Sequence, residues 1–296
     1  MSSEHPGSQA FDEALGAILP ILHEMKTSLR PKPAATRASL ERLVSLPDSF
    51  IAPVPPGHPV RETAGVPVTA AEVTPVPIAP STAAPGQDDG RLAKLAELKS
   101  KILSCTLCPH LVGSRTQVVY GVGNPFAELM FVGEAPGEEE DLRGEPFVGK
   151  AGQLLTRIIG AMEYTREEVF IANVLKCRPD MPAGEAGNRK PKPAEMAVCL
   201  PWLREQIALV QPKVLVALGA TAVEGLLGEP RTMGEVRGQW LDYGGVPLMA
   251  TYHPAYLLRN QKVSEKRKVW EDMLQVLEKL GRPISAKQRG YFLEKA

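Results

Sequence analysis

Residues 129–141 of the sequence, LMFVGEAPGEEED, join a short apolar run to a glycine-rich turn and then to a block of acidic residues. The run Leu129–Val132 has no polar position, which is the pattern of a strand buried on both faces of a sheet. Gly133 and Gly137 flank a proline, a composition that ends a strand in a sharp turn. The acidic residues suit the N-terminus of a helix, where the helix dipole favours negative charge. The stretch therefore predicts a buried strand that leads through a tight turn into a helix.

Three similar apolar runs lie downstream and alternate with helical patterns. These predicted strands are Val169–Val174, Val214–Leu218 and Val246–Thr251. The predicted helices are Ala151–Met162, Pro193–Val210, Ala220–Leu227 and Ser264–Leu280. Strands that alternate with helices build a mostly parallel sheet with helices on both faces. We therefore expect the α/β class, in three α/β/α layers around a central four-stranded, mostly parallel sheet.

The most unusual short segments of the chain follow predicted strands. They are Gly133–Gly137, Lys176–Pro179 and Tyr252–Arg259. Because ligands of parallel sheets bind at the carboxyl ends of the strands, we expect these segments to converge on one cleft. The first segment is not a phosphate loop, since it lacks the G-x-x-x-x-G-K-[ST] pattern and its acids would repel phosphate.

The N-terminal third differs in composition from the rest of the chain. Residues 51–90 are rich in Pro and Ala, with nine prolines between residues 52 and 85. Proline fixes φ and removes a backbone donor, so we expect an extended linker there. Residues 1–50 are a predicted, largely disordered extension with one amphipathic helix. The apolar face of that helix holds Phe11, Leu15, Ile18, Leu22 and Met25. The helix either folds back on the globular part, residues 91–296, or docks a replication or repair protein, and both interpretations stay open.

Composition excludes several classes of protein. The 296 residues are 44% hydrophobic and 23% charged, which excludes global disorder. The 34 basic and 34 acidic residues cancel, so a uniformly basic coat is excluded. No apolar run is long enough to span a membrane, and acidic residues stand where a signal peptide would be basic. We expect a cytoplasmic protein without a membrane partner.

The four cysteines all lie in the globular part. Cys105 and Cys108 form a C-x-x-C pair, Cys177 follows a predicted strand, and Cys199 lies in the next helix. Four thiolates suit either a tetrahedral zinc ion or an iron–sulfur cluster. The spacing is too irregular for a zinc ribbon, whose second pair is normally C-x-x-C as well. Four unrelated buried thiols are the alternative.

Two further segments carry residue types that suit recognition of a base. In GEPFVGKAG, residues 144–152, Phe147 lies between glycines and is either a stacking surface for a planar ring or a core residue. His253 follows a predicted strand and precedes a proline, which favours a functional imidazole over a structural one. Leucines beside Arg259 fit an apolar wedge next to a phosphate contact on DNA.

Taken together, Cys105/Cys108, GEAPGEEED, GEPFVGKAG, IANVLKCRP, Cys199 and TYHPAYLLR resemble the family 4 uracil-DNA glycosylases, which carry an iron–sulfur cluster. The resemblance covers residues 91–280. It implies a monofunctional hydrolase of base excision repair that flips deoxyuridine out of DNA and cleaves its N-glycosidic bond. The implied substrate is uracil-containing DNA, double- or single-stranded, and the expected form is a monomer. The implied cofactor is a [4Fe–4S] cluster held by Cys105, Cys108, Cys177 and Cys199.

The resemblance also implies roles for single residues. His253 would donate to O2 of the departing uracil, Phe147 would stack on the base, and Asn173 would pair with its O4 and N3 edge. Glu134 and Glu140 are the candidates for supporting a cationic sugar and positioning water. The expected uracil-binding residues are Glu134, Ala135, Phe147, Asn173 and His253. The expected DNA-binding residues are Lys176, Arg178, Asn188, Arg189, Leu257 and Arg259.

The sequence departs from the family pattern in two places. Ala135 stands where the best-known uracil glycosylases have an aspartate, so a strong general base is not expected there. The Cys177–Cys199 segment holds 21 intervening residues, with Met181–Gly187 as an insertion. No histidine lies in it, so we expect ordinary turnover rather than a covalent adduct.

Two other classes of function are compatible with these motifs. One is a non-catalytic iron–sulfur DNA-binding module associated with a DNA polymerase. The other is a zinc-stapled hydrolase or nucleotide-binding protein. A pure DNA binder has no need for Glu134, Phe147, Asn173 and His253 together, which favours the glycosylase.

Overall fold

The computed structural model describes residues 90–182, 185 and 187–293. The expected extension over 1–50 and nearly all of the expected linker over 51–90 lie outside these described residues. Within them, no helix is both long enough and apolar enough to cross a bilayer.

The strands form one six-stranded sheet. In chain order they are β1 Val122–Gly123, β2 Leu129–Gly133, β3 Phe170–Asn173, β4 Val214–Leu218, β5 Trp240–Tyr243 and β6 Val246–Thr251. The order across the sheet is β1-β3-β2-β4-β6-β5. The four inner strands are parallel, whereas β1 and β5 pair antiparallel with their neighbours. The expected parallel four-stranded sheet is therefore confirmed as the centre of a wider, mixed sheet.

The two edge strands lack the continuous apolar run that predicted the four inner strands. β1 is two residues long and ends in a glycine, and the edge strand β5 is mostly only half-buried. β5 turns into β6 through Gly244 and Gly245, which both have positive φ, as a two-residue hairpin requires.

Helices cover both faces of the sheet. They are α1 Arg91–Leu103, α2 Pro109–Ser114, α3 Glu138–Arg143, α4 Lys150–Ala161, α5 Pro193–Val210, α6 Ala220–Leu227, α7 Met233–Val236, α8 Pro254–Arg259, α9 Val263–Lys279 and α10 Ala286–Arg289. Alternate residues of β2 enter opposite cores: Met130 and Val132 pack with residues of α1 and α5, whereas Leu129 and Phe131 pack with residues of α4 and α9. The expected three-layer α/β/α arrangement is therefore confirmed.

Register brings the carboxyl ends of the inner strands together. Gly133 at the end of β2 lies beside Asn173 at the end of β3. Leu218 at the end of β4 lies beside Thr251 at the end of β6. The residues that follow these four positions therefore emerge at one edge of the sheet.

Candidate active site

Gly133 marks the point where two side chains of the site meet. A Cβ atom placed on it would overlap the Oδ1 atom of Asn173 and the ring of Phe147. The absence of a side chain at Gly133 is what allows the amide and the ring to lie against the end of β2. Two residues that the sequence assigned to base recognition are therefore in one place.

Phe147 is held in an unusual backbone conformation. Its φ is 53°, in the left-handed region that non-glycine residues rarely occupy. The ring is buried, and its centroid lies 5.6 Å from that of His253. Gly152 accommodates the turn, because a Cβ there would overlap the Phe147 carbonyl. Strain of this kind persists only where neighbouring groups impose it, and it is concentrated at functional sites.

Asn173 supplies a buried amide with an unsatisfied atom. The residue is 2% exposed, and within the described residues its Oδ1 has no hydrogen-bond partner. A buried polar atom left unpaired costs about 1–3 kcal/mol. The amide is therefore suited to pair with a ligand that enters the space beside Phe147.

His253 lies two residues beyond β6 and caps the N-terminus of α8. Its Nδ1 accepts a hydrogen bond of 3.1 Å from the backbone N–H of Ala255. With Nδ1 as acceptor, the proton of a neutral ring resides on Nε2, which becomes a donor. Burial, and secondarily the positive charge of Arg259, lowers the pKa of His253 to about 4. His253 is therefore a neutral donor at physiological pH.

The position of His253 depends on a close approach by the neighbouring strand. Gly219, at the end of β4, has φ of 92° and donates its N–H to the Thr251 carbonyl at 2.8 Å. A Cβ on Gly219 would lie 3.1 Å from the Cβ of His253. This glycine was not singled out from the sequence, because its partner lies far away along the chain.

Glu140 connects the two glycine-rich segments. Its carboxylate accepts hydrogen bonds from the backbone N–H groups of Gly137 at 3.0 Å, Val148 at 3.0 Å and Gly149 at 2.9 Å. Both oxygens are therefore engaged with the backbone, and the contacts favour a positioning role over direct support of the sugar.

The other two residues expected near the uracil lie on the turn after β2. Glu134 is half-buried, and its backbone carbonyl accepts a hydrogen bond of 3.1 Å from the backbone N–H of Leu175. Ala135 is half-buried and packs against the core. Of the two carboxylates considered from the sequence, Glu134 is the one whose side chain is not committed to those loop amides.

The four cysteines line a single cavity between α1, α2, the end of β3 and α5. All four are free thiols, and two of them accept hydrogen bonds: Cys177 from Arg115 at 3.1 Å and Cys199 from the Lys176 backbone N–H at 3.2 Å. Burial raises the pKa of the Cys199 thiol to about 11, so a thiolate there needs a compensating cation.

The sulfurs of the four cysteines are not drawn into one tight group. In the described part of the chain, no three cysteine sulfurs lie within 4.8 Å of one another. Sulfurs around one zinc ion, each bonded at 2.3 Å, would be about 3.8 Å apart. The four thiols therefore surround the cavity as a wider set, and each of them could serve as a ligand of a metal group.

A second group of potential ligands, His110, Asp180 and Glu195, does converge within 4.8 Å. Arg189 fills this position instead of a metal, because its guanidinium donates to both carboxylates. Although burial opposes it, hydrogen bonding by Arg189 lowers the pKa of Glu195 to about 2. The group is an ion-pair network that fixes the loop between Cys177 and Cys199.

Comparison with known proteins agrees with this geometry. Residues 120–274 match the uracil DNA glycosylase superfamily. The chain belongs to this superfamily. A type-4 uracil-DNA glycosylase of Thermotoga maritima is 46% identical over 184 residues, which is 61% of this chain and 92% of the relative. Type-4 enzymes of Archaeoglobus fulgidus and Saccharolobus solfataricus are 40% and 38% identical, over 59% and 64% of this chain and 88% of each relative.

The glycosylase match covers Phe147, Asn173, His253 and the last two cysteines, and it begins after the C-x-x-C pair. The curated relatives are matched over most of their own length, so the family resemblance expected from the motifs is confirmed.

Two residues expected to contact DNA are buried, which is not the exposure that a DNA contact requires. Lys176 is 2% exposed, because its ammonium donates to the Asn173 carbonyl at 2.8 Å and to Gln206 at 2.6 Å inside the core. Leu257 is 4% exposed, because α8 packs on α4 with this residue turned inward. Its neighbour Leu258 is only partly covered.

The other four expected DNA contacts differ in their surroundings. Asn188 and Arg259 are exposed near the site, with the Asn188 amide against the turn at Gly137. Arg178 is partly buried and donates to the Gly187 carbonyl at 2.9 Å. Arg189 is engaged with carboxylates, so it holds the loop in place rather than presenting a free charge.

Arg166 is a residue of the site that the sequence did not reveal. Its guanidinium donates to the Pro146 carbonyl at 2.9 Å and to the Phe147 carbonyl at 3.1 Å. A planar guanidinium presents two N–H donors side by side, so it can hold two consecutive carbonyls in a fixed geometry. Nothing in the local sequence signals this contact, since 19 positions separate Arg166 from Phe147.

Proposed function

We propose that the protein is a uracil-DNA glycosylase that hydrolyses the N-glycosidic bond of deoxyuridine, releases uracil and leaves an abasic site. The observation that carries the proposal is the buried amide of Asn173, whose Oδ1 has no hydrogen-bond partner among the described residues and which lies against Phe147 at the carboxyl edge of the sheet. Membership of the superfamily and the names of the type-4 relatives support it. The same pocket has no evident use in a non-catalytic DNA-binding module.

Recognition requires that the nucleotide leave the base stack, because the bond is inaccessible within a duplex. The Phe147 ring offers an apolar face to the extruded base. The Asn173 amide has one acceptor and two donors, which match the N3–H and O4 of uracil. Cytosine presents the reversed pattern on this edge and would leave a buried group unpaired. The pocket therefore selects uracil by hydrogen-bond complementarity.

Bond cleavage places negative charge on uracil and positive charge on the deoxyribose. The Nε2–H of neutral His253 would donate to O2 of the base, where the negative charge develops. Glu134 would favour the cationic sugar and orient the attacking water. Ala135 carries no acid or base group, so stabilisation of the leaving group is the main contribution of these residues.

The ionisation of His253 predicts the pH dependence of the rate. Its folded pKa, about 4, lies below the ordinary value of 6.5, so the imidazole stays neutral from about pH 8 to about pH 5. The part of kcat that depends on His253 should be flat over that range and should fall as pH approaches 4. Stability supplied by the neutral ring is complete above about pH 6.5 and is lost as pH falls through 4. A rate that rises on acidification through pH 6.5 would contradict a neutral donor.

The hydrogen bonds from Arg166 to the turn at Phe147 predict that Arg166 positions the Phe147 ring. Arg166→Ala removes both donors and should lower kcat/KM about tenfold, because the strained turn relaxes and the ring loses its place against the base. Arg166→Lys should recover part of the loss. The matched control is Arg157→Ala on the exposed face of α4. Equal activity of Arg166→Ala and the control, in protein of unchanged thermal stability, would refute this role.

We propose further that Cys105, Cys108, Cys177 and Cys199 hold a [4Fe–4S] cluster. The donor set fits, since four thiols line one largely apolar cavity and, within the described residues, no three of their sulfurs lie within 4.8 Å of one another. When bound, the cluster would tie α1 and α2 to α5 and to the segment that follows β3, and it would take no part in bond cleavage. Absorbance at about 400 nm, with equal amounts of iron and sulfide in the protein, would support the cluster. Protein that contains zinc alone would refute it.

DNA contacts are proposed for the exposed side chains that border the pocket. Arg259 and Asn188 would reach phosphates, while Arg178 and Arg189 would shape the loop that presents them. The partly covered Leu258 takes the place of Leu257 as the candidate for contact with the bases. The N-terminal partner protein remains a proposal from the sequence.

Strand cleavage after alkali tests the activity. Labelled duplexes that differ only in one U:G, T:G or C:G pair would be incubated with full-length protein under anaerobic conditions. Cleavage at uracil, with the other two duplexes intact, is the expected result. Tight binding of all three duplexes without cleavage, by protein that holds its cluster, would favour the non-catalytic module.

A further inference from the structure

The cavity around the four cysteines contains few groups that can accept a hydrogen bond. Its lining is mostly apolar, with Ile102, Leu111, Val118, Leu175 and Val198 among its residues. The main polar side chains are those of Arg115, Lys176 and Glu195. The first two are donors, and both oxygens of the Glu195 carboxylate already accept hydrogen bonds from Arg189. A donor that faces this cavity therefore has sulfur as its main available acceptor.

Trp202 supplies such a donor. It lies on α5 three residues after Cys199, so both side chains fall on the same face of the helix, and both line the cavity. Its indole N–H is buried and has no hydrogen-bond partner among the described residues. By contrast, the indole N–H of Trp270 donates to the Gln288 carbonyl at 2.6 Å. A buried indole N–H normally has a hydrogen-bond partner. The indole N–H of Trp202 therefore points to an acceptor that binds in the cavity.

Arg115 is already arranged around the sulfurs. One of its guanidinium nitrogens donates to Cys177 Sγ at 3.1 Å, and the other donates to the Cys105 carbonyl at 2.8 Å. It therefore places a positive charge between the C-x-x-C pair and the third cysteine.

We infer that Trp202 donates its indole hydrogen to a sulfur of the bound cluster and that, together with Arg115, it raises the reduction potential of the cluster. The inference rests on the proposed [4Fe–4S] site. Four thiolates give the cluster a net negative charge, which grows on reduction. Hydrogen bonds and positive charge at the sulfurs stabilise the more reduced state, and these are the factors that set such potentials. Trp202 is thus a residue that tunes the cofactor and does not touch the substrate.

Trp202→Phe tests the inference, because it keeps an aromatic ring and removes the donor. In an anaerobic dye titration, the ratio of reduced to oxidised cluster at a fixed potential should fall about fivefold, the usual effect of one hydrogen bond. The cluster should also bleach faster in air. Trp270→Phe is the matched control, and it should lose thermal stability without any change in this ratio. An unchanged ratio in Trp202→Phe would overturn the inference.

A second measurement applies if Trp202→Phe fails to retain iron. Wild-type protein labelled with 15N in its indole groups would be reduced and examined by electron–nuclear double resonance. A resolved 15N coupling to the cluster supports the inference, and its absence overturns it. Wild-type protein that binds zinc and no iron would overturn both the inference and the proposed cluster, whereas uracil excision is judged separately by strand cleavage.

Discussion

Asn173→Ala is expected to lower kcat/KM for uracil in DNA about a thousandfold while leaving non-specific DNA binding unchanged. The amide is buried beside Phe147, and in the part of the chain that the structure describes its oxygen has no partner, so its hydrogen bonds to the base would form in a site that excludes water. Losing two such bonds, and leaving polar groups of the base unpaired, costs about 4 kcal/mol in total. Rates under single-turnover conditions, with excess protein, would separate this loss from any change in product release.

Asn173→Asp distinguishes recognition from simple packing. An ionised carboxylate has nearly the same size as the amide but only accepts hydrogen bonds, so it opposes the O4 of uracil and suits the amino group of cytosine. The ratio of activity on uracil to activity on cytosine should therefore fall. Asn124→Ala, which removes an amide bonded to the Phe126 N–H at 2.9 Å in the turn after β1, is the matched control. An Asn173→Ala enzyme within fivefold of wild type would contradict the assigned role.

His253→Ala should lower kcat by a factor of about 10²–10³ with little change in KM, because the donor acts mainly on charge that develops in the transition state. His253→Gln retains a side-chain donor and should recover part of the rate. Unlike wild type, His253→Ala should show no fall in rate that is attributable to the imidazole as pH approaches about 4.

Thermal unfolding provides the control for His253→Ala, since the ring also caps α8 through the Ala255 N–H. A cap is worth about 1 kcal/mol, so the variant should unfold at a slightly lower temperature and stay folded at the assay temperature. A well-folded His253→Ala enzyme with wild-type kcat would remove His253 from the mechanism.

The inner strands could be predicted from sequence because burial on both faces produces a continuous apolar run. The runs Val214–Leu218 and Val246–Thr251 were located to the residue, since every position in a doubly covered strand avoids charge. His253 could be identified because it follows a strand end, whereas the role of Asn173 was implied only by the family resemblance. The short edge strands carried no comparable pattern.

Long-range contacts explain what the sequence could not supply. Lysine is usually a surface residue, but the ammonium of Lys176 is buried because it donates to acceptors on β3 and α5. Arg166 and Gly219 act on residues far away in the chain, so no local motif marks them. Glu140 was recognised as important, but its three backbone partners define a positioning role that only the folded loops reveal.

The most direct test of uracil excision is to count its two products in one reaction. Full-length protein would be incubated with a duplex that contains a single deoxyuridine, and free uracil and abasic sites would be quantified together before any alkali treatment. We expect one uracil for each abasic site, in an unbroken strand. Bound DNA with its uracil still attached, or uracil released together with a broken strand, would contradict the proposed hydrolysis.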